Sequence, residues 1–186
     1  MPRLFTGIEI PPEMAERLAM LRGGLAGARW IDPENYHLTL RFIGDVDMRV
    51  AEEVAEALSR VRRSGFPLRF SGVGALGTRK HHAVVANVEP APALLELQGE
   101  HERILQRLGL PAEGRKYTPH VTLARLRGGG SSRDIAEYLT LRGGFLAGSF
   151  PVDRFVLFSS RNSVGGGPYI IEESYDLGME PLRARG

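Results

Sequence analysis

Alternating apolar and polar residues predict strands in this chain, and stretches with apolar residues every three or four positions predict helices. In the N-terminal half, the pattern predicts a strand over residues 3–10, a helix over 11–25 that begins with two prolines, and a strand over 35–42. A second amphipathic helix and a strand over 67–76 follow; the helix is marked by apolar residues at Val50, Val54, Leu58 and Val61. The order is therefore strand, helix, strand, helix, strand.

The C-terminal half repeats this order. Its elements are predicted over residues 82–88, 90–110, 119–125, 131–141 and 150–159, and one further strand over 169–177. The length of 186 residues is typical of one domain. We therefore expect a single α+β domain made of two related lobes, with repeat units of about 3–77 and 82–160, that face each other about a pseudo-twofold axis.

The third element of each half carries the same short motif, a histidine and a threonine alternating with two aliphatic residues. Residues 37–40 read His-Leu-Thr-Leu and residues 120–123 read His-Val-Thr-Leu, 83 positions later. In a strand, successive side chains point to opposite faces, so the histidine and threonine share one face and the aliphatic residues the other. If the halves face each other, the two motifs line opposite walls of one cleft.

Composition removes several kinds of site. The chain has no cysteine, which excludes disulfides, thiolate metal sites and cysteine nucleophiles. Neither motif contains a carboxylate and the sequence has no His-Glu-x-x-His, so we expect no metal and no cofactor. Apart from Lys80 and Lys116, every basic residue is arginine, which suits phosphate but also arises from codon bias. The net charge of +2 and sequence pI of about 9.2 favour an anionic partner only weakly.

The apolar runs are short. None approaches the roughly 18 residues of a membrane span, and the N-terminal run is interrupted by Glu9 and is too short for a signal peptide. We expect a soluble cytoplasmic monomer with no membrane contact and no obligate protein partner.

Two histidines in one cleft can act as a general base and a general acid. Imidazole has an unperturbed pKa of about 6.5, so both protonation states are accessible near neutral pH. The two threonine hydroxyls can donate hydrogen bonds to the nonbridging oxygens of a phosphoryl group. A single His-x-Thr is more simply a structural pair, but two copies at matching places in a repeat favour the catalytic interpretation.

These motifs resemble the paired motifs of the 2H phosphoesterase superfamily, and their context resembles its RNA 2',3'-cyclic phosphodiesterase branch, historically called 2'-5' RNA ligase. The resemblance spans nearly the whole chain except residues 128–148. The segments that carry it, besides the two motifs, are Arg3-Leu4-Phe5, Arg29-Trp30, Glu34-Asn35, Phe42-Ile43-Gly44, Pro119, Ala124-Arg125 and Leu157-Phe158-Ser159-Ser160.

The resemblance implies two antiparallel sheets with helices on their outer faces and a basic central cleft. It assigns catalysis to His37 and His120 and phosphate binding to Thr39 and Thr122. The implied partner is RNA or a nucleotide with a 2',3'-cyclic phosphate terminus, which water opens to a 2'-phosphate. We expect His120 to be the base and His37 the acid. The alternatives are a 2'-5' RNA ligase that runs the same chemistry backwards, and an RNA-end-binding module without turnover.

The sequence also supports predictions for four residues outside the two motifs. The resemblance suggests that Arg125 binds the nucleotide, but strict alternation places it on the other face unless the strand ends or bulges after Leu123. The same parity predicts Phe42 in the core. Tyr117 is either a stacking platform at the cleft rim or an ordinary strand-end aromatic. His101 falls in an apolar helical stripe, which predicts a buried histidine with one hydrogen-bond partner.

Overall fold

A computed structural model describes residues 1–128, 130–145, 147–160 and 167–178. In those residues the predicted order of elements is present, and the last strand of the second half is divided in two. The elements are β1 (Arg3–Glu9), α1 (Pro12–Ala19), β2 (Ala28–Trp30), a 3-10 turn (Pro33–Asn35), β3 (His37–Asp45), α2 (Met48–Leu58), β4 (Phe66–Leu76), β5 (Ala83–Val88), α3 (Pro92–Arg107), β6 (His120–Leu126), α4 (Ser132–Arg142), β7 (Ser149–Val152), β8 (Arg154–Ser160) and β9 (Tyr169–Asp176).

The strands pair in the order β7-β4-β5-β6-β3-β1-β8-β9, and β2 adds to β6. At the centre of this path β3 and β6 are antiparallel and joined through one residue pair, Leu38 with Val121. The path thus consists of two four-stranded antiparallel halves that meet at the two motif strands. Buried residues of the four α-helices belong to the same apolar cluster as Leu38 and Val121. The helices therefore cover the face opposite the motif histidines, and the α+β prediction is confirmed.

The two halves of the sheet do not coincide with the repeat units 3–77 and 82–160. In sequence β4 belongs to the first unit, yet it pairs with β5; β8 belongs to the second unit, yet it pairs with β1. Each unit gives its last strand to the other half. A short connection joins β4 to β5, and strands adjacent in sequence commonly pair. The repeat predicted the order of the elements correctly but not their partners.

Both motif strands have a β-bulge directly after the motif threonine. Opposite the Thr6–Gly7 step of β1, the register of β3 skips Leu40. Opposite the Val84–Val85 step of β5, the register of β6 skips Leu123. An unpaired extra residue reverses the alternation of the side chains that follow. Accordingly, each skipped leucine and the residue after it are both buried.

The prediction for His101 is confirmed. Its side chain is 0% exposed on α3 and its Nδ1 lies 2.9 Å from Thr6 Oγ1. Within the described ranges, no helix has the length and apolar character needed to cross a membrane.

Candidate active site

The Leu38–Val121 pair brings the two motifs side by side. Positions flanking an antiparallel pair oppose each other, which sets His37 opposite Thr122 and Thr39 opposite His120. The two histidines are then diagonal neighbours, for which a separation of about 7 to 8 Å is typical. Leu38 and Val121 are both 0% exposed and point into the core. The imidazoles and hydroxyls therefore emerge together on the opposite face, where they surround a pseudo-twofold axis.

Each imidazole is held by the same backbone contact. His37 Nδ1 donates to the carbonyl of Asn35 at 3.0 Å, and His120 Nδ1 donates to the carbonyl of Thr118 at 2.7 Å. A carbonyl can only accept, so the proton of each neutral ring resides on Nδ1. Each Nε2 is thereby left with a lone pair for chemistry in the cleft.

Three aromatic rings surround His37. The ring centroid of Tyr169 lies 4.7 Å from that of His37, Phe5 lies at 5.0 Å and Phe158 at 5.6 Å. We call Phe5, Phe158 and Tyr169 the aromatic wall. Phe5 and Phe158 also stack on each other at 4.9 Å, so the wall is continuous across β1 and β8.

Both catalytic candidates are held in the neutral form. Burial lowers the pKa of His37 to about 4, against the hydrogen bond to Asn35, which raises it; the charges of Arg125 and His120 lower it further. Burial also lowers the pKa of His120, with smaller contributions in the same direction from Arg125 and His82. The guanidinium of Arg125 thus acts electrostatically on both histidines.

Arg125 meets the condition set for it by the sequence. The bulge at Leu123 reverses the alternation, which turns Arg125 to the face of His120 and Thr122. Its cross-strand partner on β2 is Arg29, so two guanidinium groups start from the same edge of the cleft. In the described part of the chain, no carboxylate lies within ion-pair distance of Arg125. Its role in substrate binding stays a prediction.

The prediction that Phe42 lies in the core is wrong. The bulge at Leu40 turns Phe42 to the histidine face, where it is 43% exposed and Arg3 lies over its ring at 5.3 Å from the centroid. One signal in the sequence could have shown this. Phe42 follows His37 by five residues, as Arg125 follows His120 by five, so a bulge after one motif predicts a bulge after the other.

Tyr117 lies between the two motif strands. Its hydroxyl donates to the carbonyl of Thr39 at 2.9 Å, and burial raises its pKa. This contact ties the segment before β6 to β3. It favours the interpretation as a strand-end aromatic that positions Thr39 over that of a stacking platform.

One small cavity opens beside His37 and a second opens beside Arg29. One of about 130 Å³ is lined by His37, Phe158 and Tyr169, and a second of about 250 Å³ extends to Arg29. They share Asn35 as a lining residue. The cavity beside His37 and the cavity beside Arg29 are therefore neighbours that meet at Asn35.

The sequence and the fold both match known phosphoesterases. The model of the family described as LigT like Phosphoesterase matches residues 8–86 and again 85–169, once for each half. The RNA 2',3'-cyclic phosphodiesterase of Aeropyrum pernix is 35% identical over 153 residues, which cover 79% of this chain and 87% of the relative. The enzyme of the same name from Escherichia coli is 27% identical over 161 residues, which cover 85% and 86% of the two chains.

Solved structures of phosphoesterases have a similar fold. A crystal structure of E. coli LigT complexed with 3'-AMP superposes with a TM-score of 0.78 at 27% identity and covers 95% of this chain and 99% of that chain. A further phosphoesterase structure gives a TM-score of 0.79 at 27% identity, with coverage of 96% and 99%. The resemblance that the two motifs suggested is confirmed, and the chain belongs to the LigT-like phosphoesterase family of the 2H superfamily.

Proposed function

We propose that this protein hydrolyses RNA 2',3'-cyclic phosphate ends to 2'-phosphates and that His37, His120, Thr39 and Thr122 do the chemistry. The observation that carries the proposal is the Leu38–Val121 pair, which sets both His-Thr pairs around one axis. Relatives named RNA 2',3'-cyclic phosphodiesterase support the substrate class.

The reaction uses the two Nε2 atoms. One neutral imidazole takes a proton from water as the water oxygen attacks phosphorus in line with O3'. The P–O3' bond breaks, the second histidine gives its Nε2 proton to O3', and the product carries a 2'-phosphate and a 3'-hydroxyl. The backbone carbonyls that hold the two Nδ1 protons keep both Nε2 atoms directed at the substrate. The threonine hydroxyls donate to the nonbridging oxygens, where negative charge grows in the transition state.

Two considerations favour opposite assignments of the acid and the base to His37 and His120. From the sequence we predict His120 as the base and His37 as the acid, and we retain this prediction. Burial lowers the pKa of His37 to about 4, which favours the opposite assignment. An anionic phosphate raises the pKa of both imidazoles when it binds, so the acid gains its proton in the complex. A substrate with a sulfur leaving atom, described below, decides between the assignments.

Phe42 and Arg125 frame the substrate from opposite sides. The exposed ring of Phe42 offers a face on which a nucleobase can stack, a contact worth about 1 to 3 kcal/mol per base. Arg125 offers a guanidinium for phosphate on the other strand.

One assay tests the proposed function. The protein is incubated with adenosine 2',3'-cyclic phosphate and a strong chelator, and products are followed by phosphorus NMR. We expect conversion to adenosine 2'-phosphate at a rate that the chelator does not change. Absence of turnover contradicts the enzyme proposal, a 3'-phosphate product contradicts the regiochemistry, and chelator inhibition contradicts a metal-independent reaction.

Ligase activity, cellular location and oligomeric state remain predictions. Ligation by reversal requires an RNA 5'-hydroxyl in place of water, and joining of RNA halves with cyclic phosphate and 5'-hydroxyl ends would demonstrate it. A cytoplasmic location and a monomeric state are also predictions, and size-exclusion chromatography measures the latter.

A further inference from the structure

The backbone carbonyl of Thr39 accepts a hydrogen bond from a side chain of the other half of the molecule. Among the described residues, β3 and β6 share only the Leu38–Val121 pair, so the two strands part at the motif threonine. A buried carbonyl that leaves a strand ladder needs another donor. The hydroxyl of Tyr117 supplies it, because it donates to the Thr39 carbonyl at 2.9 Å.

The environment of Tyr117 keeps this donor in place. Its ring is half-buried and packs against the apolar core, so the hydroxyl has a fixed direction. Burial raises the pKa of Tyr117 above its ordinary value. The hydroxyl therefore keeps its proton and remains a donor throughout the pH range in which an imidazole can act as acid or base.

The connection between α3 and β6, residues 108–119, contacts β3 at a second point. Arg41, which follows the bulge in β3, donates to the carbonyl of Pro111 and is paired with Glu102 on α3. The connection is thus fixed to β3 on both sides of the bulge, through Tyr117 before it and Pro111 after it.

The other motif strand is held in a similar way by the segment that leads to β3. The amide of Ile31 donates to the carbonyl of Leu123, one residue after Thr122, at 2.8 Å. Each half of the molecule therefore fixes the motif strand of the other half. The contact beside Thr122 is made by the backbone, whereas the contact on Thr39 depends on one side chain.

The position of the Thr39 backbone sets the direction of its hydroxyl. Threonine is branched at Cβ, which restricts χ1, so a shift of the backbone moves the hydroxyl with it. In the proposed mechanism this hydroxyl donates to a nonbridging oxygen on which negative charge grows. Small displacements at this point weaken a contact that matters most in the transition state.

We propose that Tyr117 is a positioning residue whose hydroxyl, by holding the Thr39 carbonyl, keeps the Thr39 hydroxyl directed at one nonbridging oxygen of the transition state. This inference rests on the proposed function, because the phosphate must lie between the two motifs. The pseudo-twofold axis assigns the other nonbridging oxygen to Thr122.

Tyr117→Phe removes only the hydroxyl. We expect kcat for adenosine 2',3'-cyclic phosphate to fall by roughly 3- to 10-fold, the value of an ordinary hydrogen bond, and KM to change less. In a Thr39→Val background the same change should cost less than about twofold, because the two residues act as one unit. The matched control is Tyr175→Phe, which removes a half-buried hydroxyl that donates to the Ala55 carbonyl at 3.0 Å; it should keep the wild-type kcat.

The two diastereomers of adenosine 2',3'-cyclic phosphorothioate separate positioning from a general loss of stability. Sulfur replaces one nonbridging oxygen and accepts hydrogen bonds weakly. Tyr117→Phe should cost little on the diastereomer on which Thr39→Val costs little, and should show its full loss on the other. The ratio of the two rates is taken within one sample, so a smaller folded fraction cancels.

The proposal is overturned if Tyr117→Phe keeps the wild-type kcat, or if it loses the same factor on both diastereomers. If the wild-type protein turns over neither diastereomer, the Thr39→Val background decides alone, and a full loss there overturns the proposal.

Failure of the proposed function gives a different result, namely no turnover of adenosine 2',3'-cyclic phosphate by the wild-type protein. Binding of adenosine 2'-phosphate is then measured by calorimetry. Weaker binding by Tyr117→Phe that disappears in the Thr39→Val background supports the positioning role. Equal affinity of Tyr117→Phe and wild type, a loss that persists in the Thr39→Val background, or absence of binding overturns it.

Discussion

The two His-x-Thr motifs lie in different surroundings. His37 faces the aromatic wall of Phe5, Phe158 and Tyr169. His120 lies on the strand that carries Arg125 and is within electrostatic reach of that guanidinium and of His82. The shared features, the motif and the Nδ1 contact to a backbone carbonyl, fix the geometry of an acid–base pair. The differences are what can assign separate roles to two otherwise equivalent groups.

The largest expected effect comes from the motif histidine that each of the two surroundings contains. His37→Ala and His120→Ala should each reduce kcat for adenosine 2',3'-cyclic phosphate by roughly 100- to 10,000-fold, the usual contribution of a positioned acid or base. Steady-state kinetics on purified variants measures this. His81→Ala, which removes a histidine outside both motifs, is the control and should keep near wild-type turnover. Near wild-type activity of either motif variant would contradict a two-histidine mechanism.

The equivalence of the two motifs could be predicted from sequence, because a repeated pattern needs no tertiary information. What followed each motif could not. One inserted residue at Leu40 or Leu123 reverses the parity of the side chains that directly follow it, and it leaves no mark in the alternation of apolar residues. Alternation alone therefore predicts Phe42 in the core, and it predicts Arg125 in the cleft only if a bulge follows Leu123.

Two other features also depended on tertiary structure. The strand β2 is only three residues long and obtains its hydrogen bonds from β6, which no local pattern indicates. The exchange of β4 and β8 between the halves is a choice of partner that similar apolar strands do not encode locally. The hydroxyl contact of Tyr117 with the Thr39 carbonyl likewise joins residues 78 positions apart.

The second prediction separates the roles of the two sides. Adenosine 2',3'-cyclic phosphate with sulfur in place of O3' has a leaving group that needs no proton, because a thiolate is far more stable than an alkoxide. If His37 is the acid, His37→Ala should recover most of its lost rate on this substrate, and His120→Ala should not. Rescue of His120→Ala alone would reverse the assignment.

The third prediction concerns the cationic side. Arg125→Gln should reduce kcat/KM for adenosine 2',3'-cyclic phosphate by roughly 10- to 100-fold, since a charge-assisted contact to phosphate is lost. Because the charge of Arg125 lowers the pKa of both histidines, its removal should move both limbs of the pH–rate profile to higher pH. A rate loss with an unchanged profile would contradict the electrostatic action of Arg125 on the two histidines. The control is Arg60→Gln, which removes an exposed arginine paired with Glu56 and should keep the wild-type rate and profile.

The smallest expected effect concerns stability on the aromatic side. The pKa of His37 is lowered to about 4 in the folded protein, against about 6.5 when unfolded. As pH falls, the unfolded chain takes up this proton first, so the stabilisation is complete above about pH 6.5 and is lost as the pH falls toward 4. Between pH 7 and pH 5, His37 should account for roughly 1 to 2 kcal/mol of lost stability.

Urea unfolding at the two pH values measures this loss. His37→Gln should lose less stability on acidification than the wild-type protein. His120→Gln should show a smaller difference from wild type, since its pKa is shifted less. An identical pH dependence in wild type and His37→Gln would show that the aromatic wall does not hold His37 neutral.

In the proposed mechanism, two motifs from different halves of the chain make one catalytic centre. The direct test is a crystal structure with adenosine 2'-phosphate, the expected product. We predict that His37 Nε2 and His120 Nε2 lie on opposite sides of the phosphate, each within hydrogen-bond distance, about 3 Å, of one of its oxygens, and that both threonine hydroxyls contact it. A phosphate held by only one motif, with the other histidine out of reach, would contradict the claim.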